Sequence, residues 1–250
     1  MNSFISWIGG KNLLKKAIAE RIPDGLDRYV EVFGGAAWVL FYRDRYAVTE
    51  IYNDYNSDLT NLFRCVKYHG QELQRELNWV LNSREIFNDY REQLRMPGLT
   101  DIQRAARFFL LLRLSYGSNG RSYGCIKKDV LNMYDYLGRV QSRLTSVIIE
   151  NKDFENCIKV YDRLGTFFYL DPPYYGTEKY YQVEFTEADH MRLAHSLHSI
   201  KGKYILSYND SDTVRELYKD CVIEDVSRAH NLCQRYEGKK LYQELLIRNY

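Results

Sequence analysis

The sequence predicts a doubly wound α/β domain with a mostly parallel sheet and a helical subdomain inserted into that sheet. Short apolar strands occur before residue 58, give way to a long stretch with helical periodicity, and resume at residue 147. A glycine pair directly follows the first of these strands. Strands that alternate with helices and read as continuous apolar runs are typical of parallel sheets buried on both faces.

The amino-terminal part is predicted as a helix, a strand, a second helix and a second strand. These elements are expected over residues 11–21, over residues 29–33, from Gly34-Gly35 through Trp38 and Leu40, and near residues 48–52. Asp54 follows the second strand, about 20 residues after the glycine pair. A glycine turn and an acid at that spacing form the layout that holds an adenosine group at the carboxyl ends of parallel strands.

The middle of the chain has the periodicity of helices from Asp58 onward. Leu59, Leu62 and Val66 recur at spacings of three and four, as the apolar face of a helix requires. Further helices are predicted over residues 84–95, 102–115 and 133–144. The glycine-rich stretch 116–124 interrupts them without periodicity. We interpret this middle part as a helical subdomain.

Strands return after the insert. Residues 147–150 and 166–170 are predicted as strands, and the second is apolar on both faces, so we expect it at the centre of the sheet. Thr186 with Asp189 marks a helix start before residues 191–200. The last strands are predicted over residues 204–207, 222–226 and 241–247, and we expect the sheet to close with an antiparallel strand.

Charge is unevenly distributed along the chain. The formal net charge is +2, but residues 64–150 carry 14 Lys and Arg against 9 Asp and Glu. A basic middle is what a polyanion-binding insert would have, and basic residues interleaved with some of the 23 tyrosines suit nucleic acid better than a membrane. The alternative, that these charges are solvated helix faces, stays open.

The composition excludes several classes of protein. The longest apolar run, residues 108–112, is far shorter than the roughly 18 residues of a membrane helix. The first residues lack the basic-then-apolar layout of a secretory signal. Reduced thiols are favoured over zinc ligands or disulfides, because the five cysteines have no C-x-x-C spacing and an odd number. They are Cys65, Cys125, Cys157, Cys221 and Cys233. We therefore expect a cytoplasmic protein with no membrane partner and no metal site.

A four-residue motif, Asp171-Pro172-Pro173-Tyr174, directly follows the apolar strand 166–170. Two successive prolines fix φ and remove two backbone donors, so the chain leaves the sheet in one rigid conformation. Asp171 and the Pro172 carbonyl can accept hydrogen bonds from an amino group, while Tyr174 offers a stacking surface. Two acceptors aimed at an NH2 group localise its lone pair, which is catalysis by orientation and electrostatics. The alternative is a diproline turn with an aromatic residue packed behind it.

Five motifs stand in the order found in Dam-type (D12 class) N6-adenine-specific DNA methyltransferases, which the chain resembles from residue 7 to residue 250. The motifs are Trp7-Ile8-Gly9-Gly10-Lys11, Glu31-Val32-Phe33-Gly34-Gly35-Ala36-Ala37, Asn53-Asp54-Tyr55-Asn56-Ser57-Asp58-Leu59, Asp171-Pro172-Pro173-Tyr174 and Glu244-Leu245-Leu246-Ile247-Arg248-Asn249-Tyr250. The resemblance implies the S-adenosylmethionine-dependent methyltransferase fold. Residues 1–63 and 147–250 would form the catalytic, cofactor-binding domain, and residues 64–146 the helical target-recognition subdomain. It implies methyl transfer from S-adenosylmethionine to N6 of an adenine flipped out of double-stranded DNA.

The resemblance also implies residue roles. Trp7 and Lys11 would contact the methionine part of the cofactor, Lys11 through its carboxylate, and Asp54 would take the ribose hydroxyls. Asp171, Pro172 and Tyr174 would hold the target base. The full cofactor set is Trp7, Lys11, Phe33, Gly35, Asp54, Asp153, Phe154 and Asp171. Structural alternatives are a core position for Trp7, a solvated helix start for Lys11, an Asx turn for Asp54 and a loop cap for Asp153.

The start of a recognition region is similar as well. The residues that resemble it are Arg113, Tyr116, Asn119, Gly120 and Arg121. We expect Arg121 near the bases, and Lys127 and Lys128 at phosphates. The stretch 119–132 is shorter than the base-reading hairpin of better-known relatives, so the recognition sequence is not carried over. Ala37 stands where many relatives have a second glycine, so cofactor binding is still expected but the exact approach of the following helix is not carried over. We expect a monomer in solution, with a dimer on DNA as the alternative.

The alternative functions are methylation of cytosine N4, methylation of an amine on RNA or protein, and DNA binding by a catalytically silent relative. Asp rather than Ser at position 171 favours adenine within the family, and the basic insert favours nucleic acid. Intact Lys11, Asp54 and Asp171 argue against a silent relative. The histidines of one predicted helix, His190, His195 and His198, have no acidic or cysteine ligand assigned nearby, so we do not expect them to bind a metal. The sequence Gly9-Gly10-Lys11 lacks the spacing of a phosphate-binding loop, so we do not expect an ATPase.

Overall fold

The computed structural model describes residues 1–78, 82–118, 120–124, 134–178, 184–229 and 241–250. Seven strands of this part form one sheet. They are β1 (Leu26–Glu31), β2 (Ala47–Asn53), β3 (Val147–Glu150), β4 (Thr166–Leu170), β5 (Lys203–Asn209), β6 (Val222–Ala229) and β7 (Leu241–Arg248). Each matches a predicted strand to within a few residues. Val30, in β1, pairs with Ile51 on one side and Phe168 on the other.

The described helices fall into an inserted group and a group that covers the sheet. They are α1 (Lys15–Arg21), α2 (Ser57–Tyr68), α3 (Gly70–Asn78), α4 (Arg84–Gln93), α5 (Asp101–Leu114), α6 (Tyr134–Leu144), α7 (Phe154–Tyr161), α8 (Glu187–His198) and α9 (Asp212–Leu217). Helices α2 to α6 all lie between β2 and β3, where the helical insert was predicted. Helix α2 crosses residue 63, so the sheet region and the insert share a continuous helix there.

The strand order is β3-β2-β1-β4-β5-β7-β6. The first five strands are parallel, and β7 runs antiparallel to both β5 and β6. From β1 the chain proceeds outward to β2 and β3, whereas β4 returns to the other side of β1. Ligands of open α/β sheets bind at such a reversal, beyond the carboxyl ends of the strands. The predicted doubly wound, mostly parallel fold with an antiparallel strand is therefore confirmed.

The centre of the sheet is buried on both faces, as predicted for β4. Phe167 and Tyr169 enter one hydrophobic cluster, and Phe168 and Leu170 enter the other. All four side chains are at most 2% exposed. Because side chains of a strand alternate between faces, this one strand contributes apolar surface to both layers of helices.

The insert is attached to the sheet by a buried ion pair. Arg143, on α6, makes two contacts with the Glu50 carboxylate on β2, at 2.6 and 2.9 Å. Arg143 also donates to the carbonyl of Leu40 at 2.9 Å. Removing one partner of a buried pair costs about 3–5 kcal/mol, since the other charge is left uncompensated. The pair therefore fixes the position of α6 on the sheet.

One predicted helix does not form. Residues 35–42 are turns, and Gly35 and Ala37 have positive φ values of 49° and 54°. A left-handed backbone cannot continue a right-handed helix. The Leu40 N–H donates instead to the Glu31 carboxylate at 2.9 Å. Helix α1 also begins later than predicted, at Lys15, and the short helices α7 and α9 were not predicted.

Three cysteines lie in the described part of the chain, Cys65, Cys157 and Cys221, and all three are free thiols. Cys125 and Cys233 lie outside it. Within these ranges, no helix combines the length and the hydropathy that crossing a membrane requires.

Candidate active site

A cavity of about 580 Å³ opens at the carboxyl ends of β1, β2 and β4. Its size lies within the usual range for small-molecule sites. The eight residues predicted for the cofactor, Trp7, Lys11, Phe33, Gly35, Asp54, Asp153, Phe154 and Asp171, all line it. The sequence thus identified residues from Trp7 to Asp171 that the fold brings into one cavity.

Asp54 lies where β2 ends, and two backbone groups orient its carboxylate. The Gly35 N–H donates to one oxygen and the Asn56 N–H to the other, both at 2.8 Å. Burial raises the pKa of Asp54 to about 6, although both hydrogen bonds act to lower it. The contact with Asn56 is the Asx turn considered above. The same carboxylate lines the cavity, so the turn and a ligand contact are compatible.

Three phenylalanines form an apolar wall of the cavity. The ring centroids of Phe33, Phe154 and Phe185 lie 5.7 to 5.9 Å apart in every pairing. Arg192, on α8, places its guanidinium 4.2 Å from the centroid of Phe154. Aromatic rings and a guanidinium plane are surfaces on which a flat heterocycle can stack. Phe33 and Phe154 were predicted for this site, whereas Phe185 and Arg192 were not.

Asp153 is the N-cap of α7, with its carboxylate accepting from the Glu155 N–H at 3.0 Å. It also makes a two-pronged ion pair with Arg192, at 3.0 and 2.9 Å. Asp189 accepts from the same guanidinium at 2.9 Å. The loop-cap alternative for Asp153 therefore describes its contacts. Asp153 also lines the cavity, and its contact with the cofactor stays a prediction.

Lys11 is buried, with only 3% of its side chain exposed. Its ammonium lies 2.7 and 2.9 Å from the two carboxylate oxygens of Asp171 and donates to the Gly9 carbonyl at 2.9 Å. The alternative that Lys11 is a solvated lysine at a helix start is therefore wrong. A methionine carboxylate as its ligand stays a prediction.

Trp7 and Gly35 contact each other in the lining of the cavity. A methyl group built on Gly35 would lie 3.0 Å from the Trp7 ring, and φ at Gly35 is 49°. Glycine is the residue that adopts this backbone without strain and allows the ring so close. Trp7 is half-buried and lies 6.1 Å from Phe108, so it contacts the core and the cavity at once.

The Asp-Pro-Pro-Tyr motif leaves β4 beside this cavity. Asp171 and Pro173 line it, whereas Pro172 and Tyr174 do not. The Tyr174 ring lies against the Lys11 ammonium, with 4.8 Å from nitrogen to ring centroid. Its hydroxyl donates to Glu244 on β7 at 2.8 Å. The motif therefore faces two regions, the cavity through Asp171 and an adjoining surface through Tyr174.

Glu31, at the end of β1, is a second buried acid of the cavity. One of its oxygens accepts from the Tyr29 hydroxyl at 3.1 Å and from the Leu40 N–H at 2.9 Å. Burial raises the pKa of Glu31 to about 8, against the effect of both hydrogen bonds. Glu31 is therefore mostly protonated at neutral pH.

The predicted recognition stretch begins as a compact turn after α5. A bridge between Ser115 and Tyr123 closes it, and the Tyr116 N–H donates to the Ser122 carbonyl at 2.9 Å. Tyr116 is 63% exposed at the surface of this turn. Arg121 is exposed too, and its carbonyl accepts from Arg91 at 2.9 Å.

The other predicted DNA contacts differ in setting. Arg113 is half-buried, with its guanidinium 6.0 Å from the Phe109 ring. Asn119, Lys127 and Lys128 lie outside the described residues. Arg84, at the start of α4, lies over Tyr123 with 5.1 Å from its guanidinium to the ring centroid, and it was not among the predicted contacts.

No group of three or more His, Cys, Asp or Glu side chains within the described ranges could hold a metal ion. His190 is buried, and its Nε2 lies 2.9 Å from Glu178. The ring also packs edge-on against Phe185, at 4.8 Å between centroids. His190 is therefore a packed core residue with a carboxylate partner.

Comparison with known proteins agrees with this geometry. Residues 7–232 match the family of D12 class N6 adenine-specific DNA methyltransferases. A type II methyltransferase of Lactococcus lactis subsp. cremoris is 27% identical over 100% of this chain and 96% of its own. A type II methyltransferase of Methanocaldococcus jannaschii is 28% identical over 99% and 98%. A DNA adenine methylase of Serratia marcescens is 26% identical over 98% and 97%. With the family match covering most of its length, the chain belongs to the D12 class of N6 adenine-specific DNA methyltransferases.

Proposed function

We propose that the enzyme transfers the methyl group of S-adenosylmethionine to N6 of an adenine that is flipped out of double-stranded DNA. The observation that carries the proposal is the place of Asp171. Its carboxylate lies at the border between the cavity and the surface that carries Tyr174. An acceptor at such a border can reach the methyl donor on one side and the target base on the other.

The residues of the cavity fit S-adenosylmethionine. The wall of Phe33, Phe154 and Phe185 suits the adenine ring, and Asp54 suits the ribose hydroxyls at the strand end. The cavity is also rich in acidic side chains, which favour a sulfonium cation. These are Asp54, Asp153, Asp171, Glu184 and Asp189. When bound, the cofactor supplies an electrophilic methyl group on sulfur.

Asp171 would act on the N6 amine of the target. Its carboxylate accepts an N–H of the amine, while the Pro172 carbonyl offers a second acceptor, so that the nitrogen lone pair is directed at the methyl carbon. The N–C bond forms as the S–C bond breaks, and that electron pair stays on sulfur. The methylated nitrogen then loses one proton, which Asp171 can accept before passing it to water.

The substrate strand would be held by the insert and the base by the motif. Extruding an adenine from the duplex costs about a few kcal/mol, which stacking on Tyr174 would partly offset. We propose Tyr116 and Arg121 for contacts at or near the bases, and Arg113, Lys127 and Lys128 for phosphates, with Asn119 beside them. Residues 64–146 would thus form the recognition subdomain. The exposed positions of Tyr116 and Arg121 on one closed turn support this assignment.

We further propose that the enzyme acts in the cytoplasm as a monomer. The free thiols of the described cysteines fit a reducing compartment. The alternative activity is methylation of cytosine N4 or of RNA. Identifying the methylated product distinguishes it from methylation of adenine in DNA.

The test is expression in a host that lacks adenine methylation, followed by sequencing of plasmid DNA with modified-base detection. We expect N6-methyladenine at one short recurring sequence, and none with Asp171→Ala. The purified enzyme should transfer labelled methyl groups from S-adenosylmethionine to duplex DNA. Methylcytosine in the plasmid, or transfer to RNA in preference to duplex, would overturn the proposal.

A further inference from the structure

We propose that Glu244 is a positioning residue for methyl transfer, which fixes the Tyr174 ring by accepting a hydrogen bond from its hydroxyl. This inference rests on the proposed function, since Tyr174 has a role only if a base stacks on it. Glu244 would touch neither substrate nor cofactor. Its action would pass entirely through the tyrosine.

Glu244 is held in a rigid part of the fold. It lies on β7, where it pairs with Asn209 of β5 and with Val226 of β6. The side chain is 1% exposed. A strand with neighbours on both sides cannot shift sideways, so the carboxylate is a fixed reference point beside the motif. Keeping an acid in this place is costly unless hydrogen bonds compensate it.

Glu244 contacts the hydroxyl end of Tyr174, whose position the backbone does not fix. The two prolines fix the direction in which Tyr174 leaves β4, but its side-chain torsions stay adjustable. The hydroxyl donates to Glu244 at 2.8 Å, which anchors the far end of the ring. Burial and the nearby carboxylates hold the pKa of Tyr174 well above its ordinary value, so the hydroxyl remains a donor at working pH.

The distances indicate that Glu244 acts through Tyr174 and not through Lys11. The Lys11 ammonium lies 4.0 Å from Glu244 but 2.7 Å from Asp171. It also donates to the Gly9 carbonyl at 2.9 Å. Lys11 is therefore held chiefly by Asp171 and Gly9, whereas the 2.8 Å bond ties Glu244 to Tyr174.

The experiment compares Tyr174→Phe, Glu244→Ala and the double variant under saturating substrates. Each single change should lower kcat about tenfold, the effect of roughly one lost hydrogen bond. The double variant should be no worse than either single one, because both remove the same interaction. The affinity for S-adenosylmethionine should stay within about twofold, since neither side chain lines the cavity.

Glu244→Gln is the matched control, because its amide oxygen can still accept from Tyr174. We expect it to restore most of kcat. Fluorescence of 2-aminopurine placed at the target adenine gives a second reading: weaker stacking on Tyr174 should raise the signal of the flipped base in Tyr174→Phe and Glu244→Ala, but not in Glu244→Gln.

Losses that multiply in the double variant, or a Glu244→Gln variant as impaired as Glu244→Ala, would overturn the inference. If Glu244→Ala does not fold, Tyr174→Phe and Glu244→Gln alone still test the inference. Tyr174→Phe should lower kcat and weaken stacking, whereas Glu244→Gln should do neither. Wild-type enzyme assayed alongside reports on DNA methylation itself, so a failure of the proposed function would be seen separately.

Discussion

Lys11 and Asp171 are separated by 160 residues in the chain, yet the Lys11 ammonium lies 2.7 and 2.9 Å from the two Asp171 oxygens. The first motif of the sequence is thereby joined to the fourth. A carboxylate has about four lone-pair sites, so a partnership with one ammonium is compatible with accepting from an amine as well. We infer that Lys11 holds Asp171 in a single orientation toward the border of the cavity.

Asp171→Ala is expected to abolish methyl transfer and to lower stability, because buried Lys11 loses its ion-pair partner, while the folded variant keeps most DNA binding. The interaction with the amine is made in the reacting complex, so its loss should appear mainly in kcat. Single-turnover transfer and DNA binding by the purified variant check this. Asp171→Asn serves as the matched control, since it keeps the shape and one acceptor. Near-normal turnover of the alanine variant would remove Asp171 from the mechanism.

Asp54→Ala should weaken S-adenosylmethionine binding by about 1.5–3 kcal/mol, the range for a hydrogen bond to a charged group. Calorimetry with the cofactor alone, without DNA, measures the difference. Equal affinities of wild type and variant would mean that the ribose is held elsewhere.

The same carboxylate predicts a pH dependence. Burial raises the pKa of Asp54 to about 6, so lowering the pH through 6 protonates it and removes acceptor capacity. Cofactor affinity of the wild type should therefore fall below pH 6, whereas Asp54→Asn should bind weakly at every pH. A wild-type affinity that is flat between pH 5 and about 7.5 would contradict an ionised Asp54 in the site.

Glu31→Gln should change stability in a pH-dependent way. The folded pKa of about 8 lies above the ordinary 4.5, so between these values the folded state binds more protons than the unfolded state. Stability of the wild type is then lost as the pH rises from 4.5 toward 8. The glutamine can accept hydrogen bonds from Tyr29 and Leu40 but does not ionise. The stability of Glu31→Gln relative to wild type should therefore increase as the pH rises. Urea denaturation at pH 5 and pH 8 checks this, with the exposed Glu72→Gln as control. An equal difference at both pH values would count against it.

Replacing Arg113, Arg121, Lys127 and Lys128 singly with Ala should lower DNA affinity without altering cofactor affinity. A lost phosphate contact weakens all sequences alike and lowers the salt slope by about one unit. A lost base contact relaxes preference at one position by about 1–3 kcal/mol. We expect the base pattern for Arg121 and the phosphate pattern for Lys127 and Lys128.

Binding at several salt concentrations, to the methylated sequence and to a scrambled duplex, separates these patterns. Lys16→Ala, exposed on α1 outside the insert, is the control. Because Arg113 is half-buried against Phe109, its variant should also lose some thermal stability. If all four variants bind both duplexes with the affinity of wild type, the basic residues of the insert are solvated and do not contact DNA.

Much of the fold could be predicted because its signals are local. The apolar run of β4 and the cap of α8 at Thr186 each depend on a few neighbouring residues. The turns after Gly34 could not be predicted, because Ala37 adopts a left-handed φ of 54° that its type disfavours. There the buried Glu31, by accepting from Leu40, replaces a helical hydrogen bond.

The site was predictable where motifs mark it and not where only packing does. Asp54 and Asp171 stand at strand ends in recognisable motifs. Phe185 reaches the cavity from the residue before a helix cap, and Arg192 from the next turn of that helix, and neither position carries a local signal. Their roles depend on how α8 packs near α7, which is a tertiary property.

The position of the insert has a consequence for the order of folding. Strands β2 and β3 pair in register, Glu50 opposite Val147, yet the whole helical insert lies between them in the chain. Long-range pairing pays its loop-closure entropy before it gains contacts, and compact helices shorten the distance that must be closed. The edge strand β3 is therefore expected to join the sheet only after α2 and α6 have come together. Nascent chains that stop short of residue 147 would carry the folded insert beside an incomplete sheet, and the wall of the cavity that Asp153 and Phe154 provide would be the late addition.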